Sequence, residues 1–236
     1  MANHRFVLVH GAWHGGWCWR RVAKLLRAAG HEVFTPTLTG LGERSHLLSA
    51  SVDLDTHIAD VANVFEWEDI RDAVLVGHSY SGWVISGAVE RVLPRVSSIV
   101  YLDAGLPPDG VSGLDVQSPQ DKAATQAALA RGDVSRPVPD PARFELTDAA
   151  DTAWVKSKMT PQPIGVAMQK IRLTGARDRV ARKTYLRALK HPSVNFDNAL
   201  AVCKADPSWR VFEKDWGHDM MVDQPDALAR FLIEAA

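Results

Sequence analysis

Several classes of protein are excluded by what this sequence has little of. Cysteine occurs only twice in 236 residues, as Cys18 and Cys203, far apart and in no metal-ligand spacing. We therefore expect two buried thiols rather than a disulfide framework or a structural metal site. No run of about 18 apolar residues occurs, and the basic start is not followed by an apolar stretch, so neither a membrane span nor a signal peptide is predicted. A cytoplasmic location is the expectation.

An excess of charge of one sign is also missing. Lys and Arg number 27 against 28 Asp and Glu, which gives a formal net charge of −1. Without a basic stripe or an acidic tail, neither nucleic acid nor a membrane surface is predicted as a partner. Apolar residues make up 46% of the chain, enough for a sizeable core. The sequence predicts a single domain without repeats, and it leaves the oligomeric state open.

Apolar runs and amphipathic stretches alternate along the chain. The predicted strands cover 5–10, 31–38, 72–79, 96–105, 182–189 and 208–214, and the predicted helices cover 17–30, 53–67, 81–92, 195–205 and 223–236. Such alternation predicts an α/β fold with a mostly parallel, doubly wound sheet of about six strands and right-handed crossovers.

One long segment interrupts this alternation. Residues 106–180 are rich in Pro, Asp, Ala and Gln and contain several short helical pieces. Because a connection of this length is unusual inside a compact domain, we predict a helical lid that folds over Ser79. The core would then comprise 1–105 and 181–236.

The segment "VLVGHSYSGW" (74–83) places Ser79 where a buried strand passes into a helix. Gly-x-Ser-x-Gly at such a junction forms a tight turn that exposes a nucleophilic hydroxyl at the carboxyl edge of the sheet. Here Gly77 precedes the serine, and Ser81 with Gly82 replaces the second glycine. The alternative is that Ser79 only caps the helix.

A serine nucleophile needs a base and a site for the developing oxyanion. His218, in the loop "EKDWGHDMMVDQP" after the last strand, is the candidate base. The backbone N–H of Tyr80, which follows the nucleophile, is one expected oxyanion donor, and that of Ala12, in the loop after the first strand, is the other. His14 is expected to be a hydrogen-bonding loop residue rather than a second base.

The segments "FVLVHGAWHGGWCW" (6–19), "GHSYSG" (77–82) and "GHDMM" (217–221) resemble one subgroup of the α/β-hydrolase superfamily. This subgroup holds plant methyl-ester esterases similar to salicylate-binding protein, hydroxynitrile lyases, and bacterial carboxylesterases including pyrethroid hydrolases. The resemblance implies Ser79 as nucleophile, His218 as base, and Ala12 and Tyr80 as oxyanion donors. The lyases carry a threonine and a lysine where this chain has Gly11 and Asp219, which favours ester hydrolysis.

The third member of the triad departs from this pattern. The resemblance implies a carboxylate just after the strand predicted at 182–189, but the aligned residue is His191. Two replacements are open: Asp103, at the end of the fourth strand, and Asp197, in the helix after His191. We favour Asp103, because haloalkane dehalogenases of the same fold carry their acid at the end of that strand.

Ester hydrolysis is the predicted function. We expect a serine carboxylesterase that acts on small to medium apolar esters without cofactor or metal, with an ester as its small-molecule partner. Trp13 of the oxyanion loop is a candidate substrate contact, and so are Trp154, Met159 and Ile164 of the insertion, which could instead only pack the lid on the body. Another acyl hydrolase (amidase, lactonase or C–C hydrolase) and a non-catalytic small-molecule receptor are the alternatives.

Overall fold

A computed structural model describes residues 3–236 of the chain. Its helices and strands, in chain order, are β1 (Arg5–Val9), α1 (Arg20–Ala28), β2 (Glu32–Phe34), α2 (Leu54–Trp67), β3 (Ala73–His78), α3 (Ser81–Val92), β4 (Val96–Leu102), α4 (Pro119–Ala130), β5 (Ser135–Arg136), α5 (Ala149–Lys158), β6 (Gln162–Pro163), α6 (Gly165–Met168), β7 (Arg182–Ala188), α7 (Val194–Ala205), β8 (Trp209–Lys214), α8 (Met220–Asp223) and α9 (Pro225–Ala235).

Six of these strands form one sheet in the order β2-β1-β3-β4-β7-β8, and every neighbouring pair is parallel. β2 lies on one side of β1, and β3 lies on the other side. The connecting helices therefore cover both faces of the sheet, as in a doubly wound fold. The predicted fold class is confirmed. All six carboxyl ends lie along one edge, so the loops that follow the strands meet there.

Alternate residues of each strand supply the two halves of the core. Val7 and Val9 of β1 pack with α2, α3 and α7 on one face, whereas Phe6 and Leu8 pack with α1 and α9 on the other. Such continuous apolar strands are typical of a sheet that is covered on both sides. The cysteines lie on opposite faces, Cys203 in the first half and Cys18 in the second, and both are buried free thiols, as expected.

The second predicted strand is shorter in the structure, and the first predicted helix begins later in the chain. The strand predicted at 31–38 is only Glu32–Phe34, because Pro36 has no N–H to donate and the chain leaves the sheet edge. The helix predicted at 17–30 begins at Arg20, after a 3₁₀ turn over Gly16–Trp19. A 3₁₀ turn at a helix N-terminus is a common way to pair its amide groups.

The segment between β4 and β7 contains α4, α5, α6 and a two-stranded antiparallel sheet formed by β5 and β6. Val155 and Met159 pack into the core on the α1 side of the main sheet, and residues 106–119 run along the cavity beside Ser79. Among residues 3–236, no helix combines the length and the apolar character needed to cross a membrane.

Candidate active site

Ser79 lies in the sharp turn between β3 and α3, at the carboxyl edge of the sheet. Its φ of 56° is in the left-handed region, which is uncommon for a residue other than glycine. Backbone hydrogen bonds hold this conformation: the Ser79 amide donates to Leu102 (3.2 Å), and its carbonyl accepts from Gly105 (3.0 Å). The turn therefore holds Ser79 against β4, and Ser79 lines a cavity at this edge of the sheet.

Small residues around Ser79 are required by close packing. A Cβ on Gly82 would overlap the carbonyl of Gly105, so no larger residue fits there without movement of the backbone. Ser81, where the usual motif has glycine, is wholly buried, and its hydroxyl accepts a hydrogen bond from the His78 amide (2.7 Å) and lies 2.8 Å from the Val9 carbonyl. The serine is therefore a stabilising replacement that ties β1, β3 and α3 together.

His218 and Asp103 are brought together although 115 residues separate them. His218 Nδ1 lies 2.6 Å from Asp103 Oδ2, and both side chains are almost completely buried. The His218 amide donates to the Phe144 carbonyl (3.0 Å), which fixes the loop after β8. His218 lines the same cavity as Ser79, and its ring centre is 4.4 Å from that of His78, the residue before Ser79.

Asp103 is held as a carboxylate by donors on the neighbouring strand. Its Oδ1 accepts from Arg187 Nη1 (2.6 Å) and from the Ala188 amide (3.1 Å), both at the end of β7. Burial alone would raise the pKa of Asp103, but the hydrogen bond and charge of His218 and the charge of Arg187 outweigh it, so the pKa lies below its usual value. The group is ionised at neutral pH and can balance a positive charge on His218.

The other nearby carboxylates face elsewhere. Asp197 is 60% exposed and binds Arg187 rather than His218. Asp215, 81% exposed, lies beside Lys190. Asp219 is buried and accepts from His14 Nε2 at 3.0 Å, so its carboxylate is directed away from the cavity. Of the two replacements that the sequence left open, Asp103 is the one in contact with His218.

His14 is a structural partner of the loop after β1. Its second ring nitrogen bonds the Ala12 carbonyl at 2.8 Å. Burial would lower the pKa of His14, but the charge and hydrogen bond of Asp219 raise it above its usual value. The same pairing overcomes the effect of burial on Asp219 and lowers its pKa to about 2. This buried ion pair holds the loop that carries Ala12.

Two backbone N–H groups beside Ser79 are free to donate hydrogen bonds to an anion. Neither the Ala12 N–H nor the Tyr80 N–H makes a hydrogen bond to any of residues 3–236. Both residues line the cavity. A Cβ on Gly11 would lie 3.0 Å from the Cβ of Ser79, so glycine there allows the loop after β1 to approach the serine closely. Unpaired amides at such a position are what an oxyanion hole requires.

His191 lies against His218 but does not take the place of the acid. The two rings are stacked, with centres 4.2 Å apart and 26° between their planes, and His191 Nδ1 bonds Glu145 at 2.9 Å. Burial and the charge of His218 lower the pKa of His191 to about 4, so it is neutral at pH 7. Donor atoms of Asp103, His191 and His218 lie within 4.8 Å of one another, but nearly parallel rings do not direct their in-plane lone pairs to one point, as a metal ion would need.

Strained backbone is concentrated around these side chains. Among residues 3–236, four of the six non-glycine residues with positive φ lie here: Trp13 (64°), Ser79 (56°), Asp103 (43°) and Glu145 (53°). The first two line the cavity, and the others contact His218 and His191. Non-glycine residues in this conformation cost energy, and they often cluster at functional sites.

The cavity beside Ser79 has a volume of about 810 Å³. Its apolar wall includes Trp13, Trp83, Leu106, Val116, Phe144, Val166 and Phe196. Trp13 was predicted as a substrate contact and lies in this wall. Trp154, Met159 and Ile164 are not among the residues that line it. Trp154 packs on Trp17 with ring centres 5.1 Å apart, and the other two are buried, because their side chains attach the insertion to the body.

Comparison with known proteins agrees with this geometry. Residues 6–231 match the family described as the alpha/beta hydrolase family. The chain belongs to this family. It is 40% identical over 242 residues to a carbendazim hydrolyzing esterase from Nocardioides sp. (strain SG-4G), with 98% of each chain covered.

Solved structures of other α/β-hydrolases share the fold. An extracellular alpha/beta-hydrolase from a Paenibacillus species superposes with a TM-score of 0.87 at 24% identity, covering 99% of both chains. A methylesterase from Arabidopsis superposes with a TM-score of 0.73 at 22% identity, covering 98% of both chains. The resemblance to the esterase subgroup that the motifs indicated is confirmed.

Arg187 and Glu145 of this α/β-hydrolase site were not predicted from the sequence. Arg187 connects Asp103 to Asp197, and a charged residue inside the otherwise apolar strand "TYLRAL" (184–189) was the available signal. Glu145 holds His191, but it lies in the irregular insertion, where no periodic pattern indicates which side chains face inward. Its contact with His191 depends on tertiary packing.

Proposed function

We propose that the protein is a serine carboxylesterase that hydrolyses small to medium, largely apolar carboxylic esters through an acyl-enzyme. The observation that carries this proposal is the 2.6 Å hydrogen bond between His218 Nδ1 and Asp103, beside a cavity that Ser79 also lines. A histidine held through Nδ1 presents Nε2 to a hydroxyl and can remove its proton. The family and the esterase at 40% identity support hydrolysis of an ester bond.

In the first step, Ser79 Oγ attacks the ester carbonyl while His218 accepts the hydroxyl proton. The carbonyl oxygen becomes an oxyanion, which the N–H groups of Ala12 and Tyr80 stabilise. Each such donor contributes about 3 kcal/mol to the transition state. Collapse of the intermediate breaks the bond to the alcohol oxygen, and His218 gives its proton to that oxygen.

In the second step, His218 takes a proton from a water molecule, which attacks the acyl-enzyme carbonyl. A second tetrahedral intermediate then releases the carboxylic acid, and the proton returns to Ser79. Asp103 keeps Nδ1 protonated and balances the positive charge of the imidazolium in both steps. These steps use side chains, backbone amides and water alone.

The size of the cavity supports substrates of small to medium size. About 810 Å³ lies within the range of pockets that enclose small organic ligands. Aromatic and aliphatic side chains on the wall, such as Trp83, Phe144 and Val166, suit an acyl chain or an aromatic alcohol. A cytoplasmic location remains a prediction from the sequence, which cell fractionation can test.

The direct test replaces the proposed nucleophile. Ser79→Ala is expected to abolish hydrolysis of p-nitrophenyl butyrate and labelling by a fluorophosphonate, with an unchanged thermal unfolding midpoint. Ser118→Ala is the matched control, because Ser118 lines the same cavity but its hydroxyl caps α4 and bonds Asp121. Persistent labelling and turnover in Ser79→Ala would contradict the mechanism.

The same labelling experiment separates an esterase from a receptor of this fold. A receptor that lacks catalysis would leave Ser79 unlabelled in the wild-type protein. The lack of a carboxylate after β7 would favour a receptor, but Asp103, which follows β4, contacts His218 instead. Turnover of matched esters, amides and lactones distinguishes the remaining acyl hydrolases.

A further inference from the structure

Two arginine side chains in the cavity wall lack a partner. Among residues 3–236, neither the Arg136 nor the Arg143 guanidinium makes a hydrogen bond or an ion pair, and Arg136 Nε is fully buried. Both groups lie over the ring of Trp13, with their central carbons 5.2 Å and 5.4 Å from its centre. The cavity wall therefore contains two adjacent cations, the half-buried Arg136 and the exposed Arg143, whose N–H donors have no partner among the described residues.

The position of Arg136 is fixed by the insertion. Arg136 ends β5 and is paired in register with Gln162 of β6. The buried side chain of Gln162 accepts a hydrogen bond from the Trp13 amide at 2.9 Å. Trp13 directly follows Ala12, so this two-stranded sheet holds the guanidinium beside the proposed oxyanion site.

Stacking on Trp13 does not satisfy these groups. A cation over an aromatic ring gains on the order of 1 kcal/mol, but the N–H bonds of a guanidinium lie in its own plane and remain available. Burial lowers the pKa of Arg136, which shows that its charge is poorly solvated. A half-buried cation such as Arg136, without a counter-charge in contact, is unfavourable, and an anionic ligand would reduce this cost.

The charge of Asp121 acts on Arg136 and that of Glu145 acts on Arg143, but neither carboxylate contacts a guanidinium group. Asp121 also lines the cavity, but it is exposed, it accepts from Ser118 Oγ, and it lies more than 4.0 Å from both guanidinium groups. His191, across the cavity, is uncharged at neutral pH. No carboxylate of residues 3–236 therefore contacts either guanidinium group, and both arginines line the space that the substrate would fill.

We propose that Arg136 and Arg143 bind a carboxylate on the substrate. The preferred substrates would then be esters that carry a second, ionised acid group: half-esters of dicarboxylic acids, or esters whose alcohol part bears a carboxylate. The apolar wall would hold the hydrocarbon between the two ends. This inference rests on the proposed esterase function and names its substrate class. Arginine suits the role because its planar fork matches the two oxygens of a carboxylate.

Two pairs of esters test the proposal and distinguish the position of the acid. p-Nitrophenyl hydrogen adipate and p-nitrophenyl hexanoate have the same acyl chain length, and only the first carries a carboxylate. 4-Acetoxybenzoate and its methyl ester differ in the same way on the alcohol side. In at least one pair, kcat/KM is expected to be about tenfold higher for the charged ester, and the preference should shrink as salt is added.

Variants of the two arginines test whether these residues cause the preference for charged esters. Arg136→Met and Arg143→Met should each move the charged-to-neutral ratio of kcat/KM towards one. Arg136→Lys should retain part of the preference, because it keeps the charge but loses the fork. Arg131→Met is the matched control, since Arg131 lies in the same segment but is exposed and paired with Asp133. It should leave the ratio unchanged.

Binding without turnover separates this proposal from the esterase proposal. Calorimetry with Ser79→Ala and monomethyl adipate or 4-acetoxybenzoate should show binding that weakens about tenfold when Arg143→Met is added. Such a result supports the anion site even if no ester is hydrolysed. Equal turnover of charged and neutral esters by the wild-type protein in both pairs would overturn the proposal, and so would a preference that survives both arginine variants.

Discussion

Replacement of Asp103 by asparagine tests the proposed triad most sharply. The carboxylate accepts three hydrogen bonds: Oδ1 from Arg187 Nη1 and the Ala188 amide, and Oδ2 from His218 Nδ1. An asparagine has only one acceptor oxygen, and the charged Arg187 together with Ala188 would bind it. Its NH₂ group would then face His218, which would have to accept at Nδ1 and carry its proton on Nε2. In that tautomer, the ring cannot take the proton of Ser79.

The expected loss is large because the wrong tautomer removes the base. We expect kcat for p-nitrophenyl butyrate to fall about 10⁴-fold, as for similar changes in other serine hydrolases, which corresponds to about 5.5 kcal/mol in the barrier. The fold should survive, since asparagine tolerates the φ of 43° at position 103. Thermal unfolding and circular dichroism verify this point.

Asp197→Asn is the matched control. Asp197 binds the same arginine, but it is 60% exposed and does not contact His218. Its replacement should change kcat less than about threefold, because the contact with Arg187 is largely solvated. Asp103 is not the triad acid if Asp103→Asn keeps more than about a tenth of the activity, or if Asp197→Asn loses more activity than Asp103→Asn.

Three further predictions concern stability and the cavity. Ser81→Ala should lower the unfolding free energy by about 1–3 kcal/mol, since the buried His78 amide loses its acceptor; unchanged urea denaturation would contradict this. Met159→Ala should cost about 2–5 kcal/mol without changing KM, whereas Val166→Ala in the cavity wall should change KM; the opposite ranking would restore Met159 to the pocket. The third prediction concerns the pH dependence of stability. Folding lowers the pKa of five histidines and raises the pKa of one, and burial lowers the pKa of His10 to about 3. Since the unfolded chain then binds more protons, the unfolding free energy should fall below pH 6.5, by about 2 kcal/mol at pH 5 for His10 alone, and a flat profile would refute the assignment.

The order and type of the core elements were predictable because they depend on local patterns. The apolar run Ala73–His78 forms a strand that is buried on both faces, and the small residues around Ser79 indicate a turn between strand and helix. The position of Asp103 could be predicted in the same way, because the ends of parallel strands meet at one edge of the sheet. The contact with His218 follows from topology rather than from sequence spacing.

The insertion was not predictable in the same detail. Its helices are short, and its inward-facing residues follow no helical or strand period, so Trp154 was assigned to the cavity and Arg136 was overlooked. Which side chains face Ser79 depends on how β5 and β6 pair and on the contact between Gln162 and Trp13. Such contacts are formed by tertiary packing and leave no signature in composition.

The geometry of the sheet also explains how the proposed triad acid, Asp103, can follow β4 rather than β7. β4 and β7 are adjacent and parallel, so residues that follow them reach the same space from neighbouring positions. The Ala188 amide at the end of β7 donates directly to the carboxylate of Asp103, which shows how close the two strand ends lie. With the carboxylate on β4, a second acid after β7 would repel it, and β7 instead supplies Arg187, which stabilises its charge. His191 can then occupy the aligned position as a neutral ring stacked on His218, because the negative charge that this site needs is already provided by Asp103.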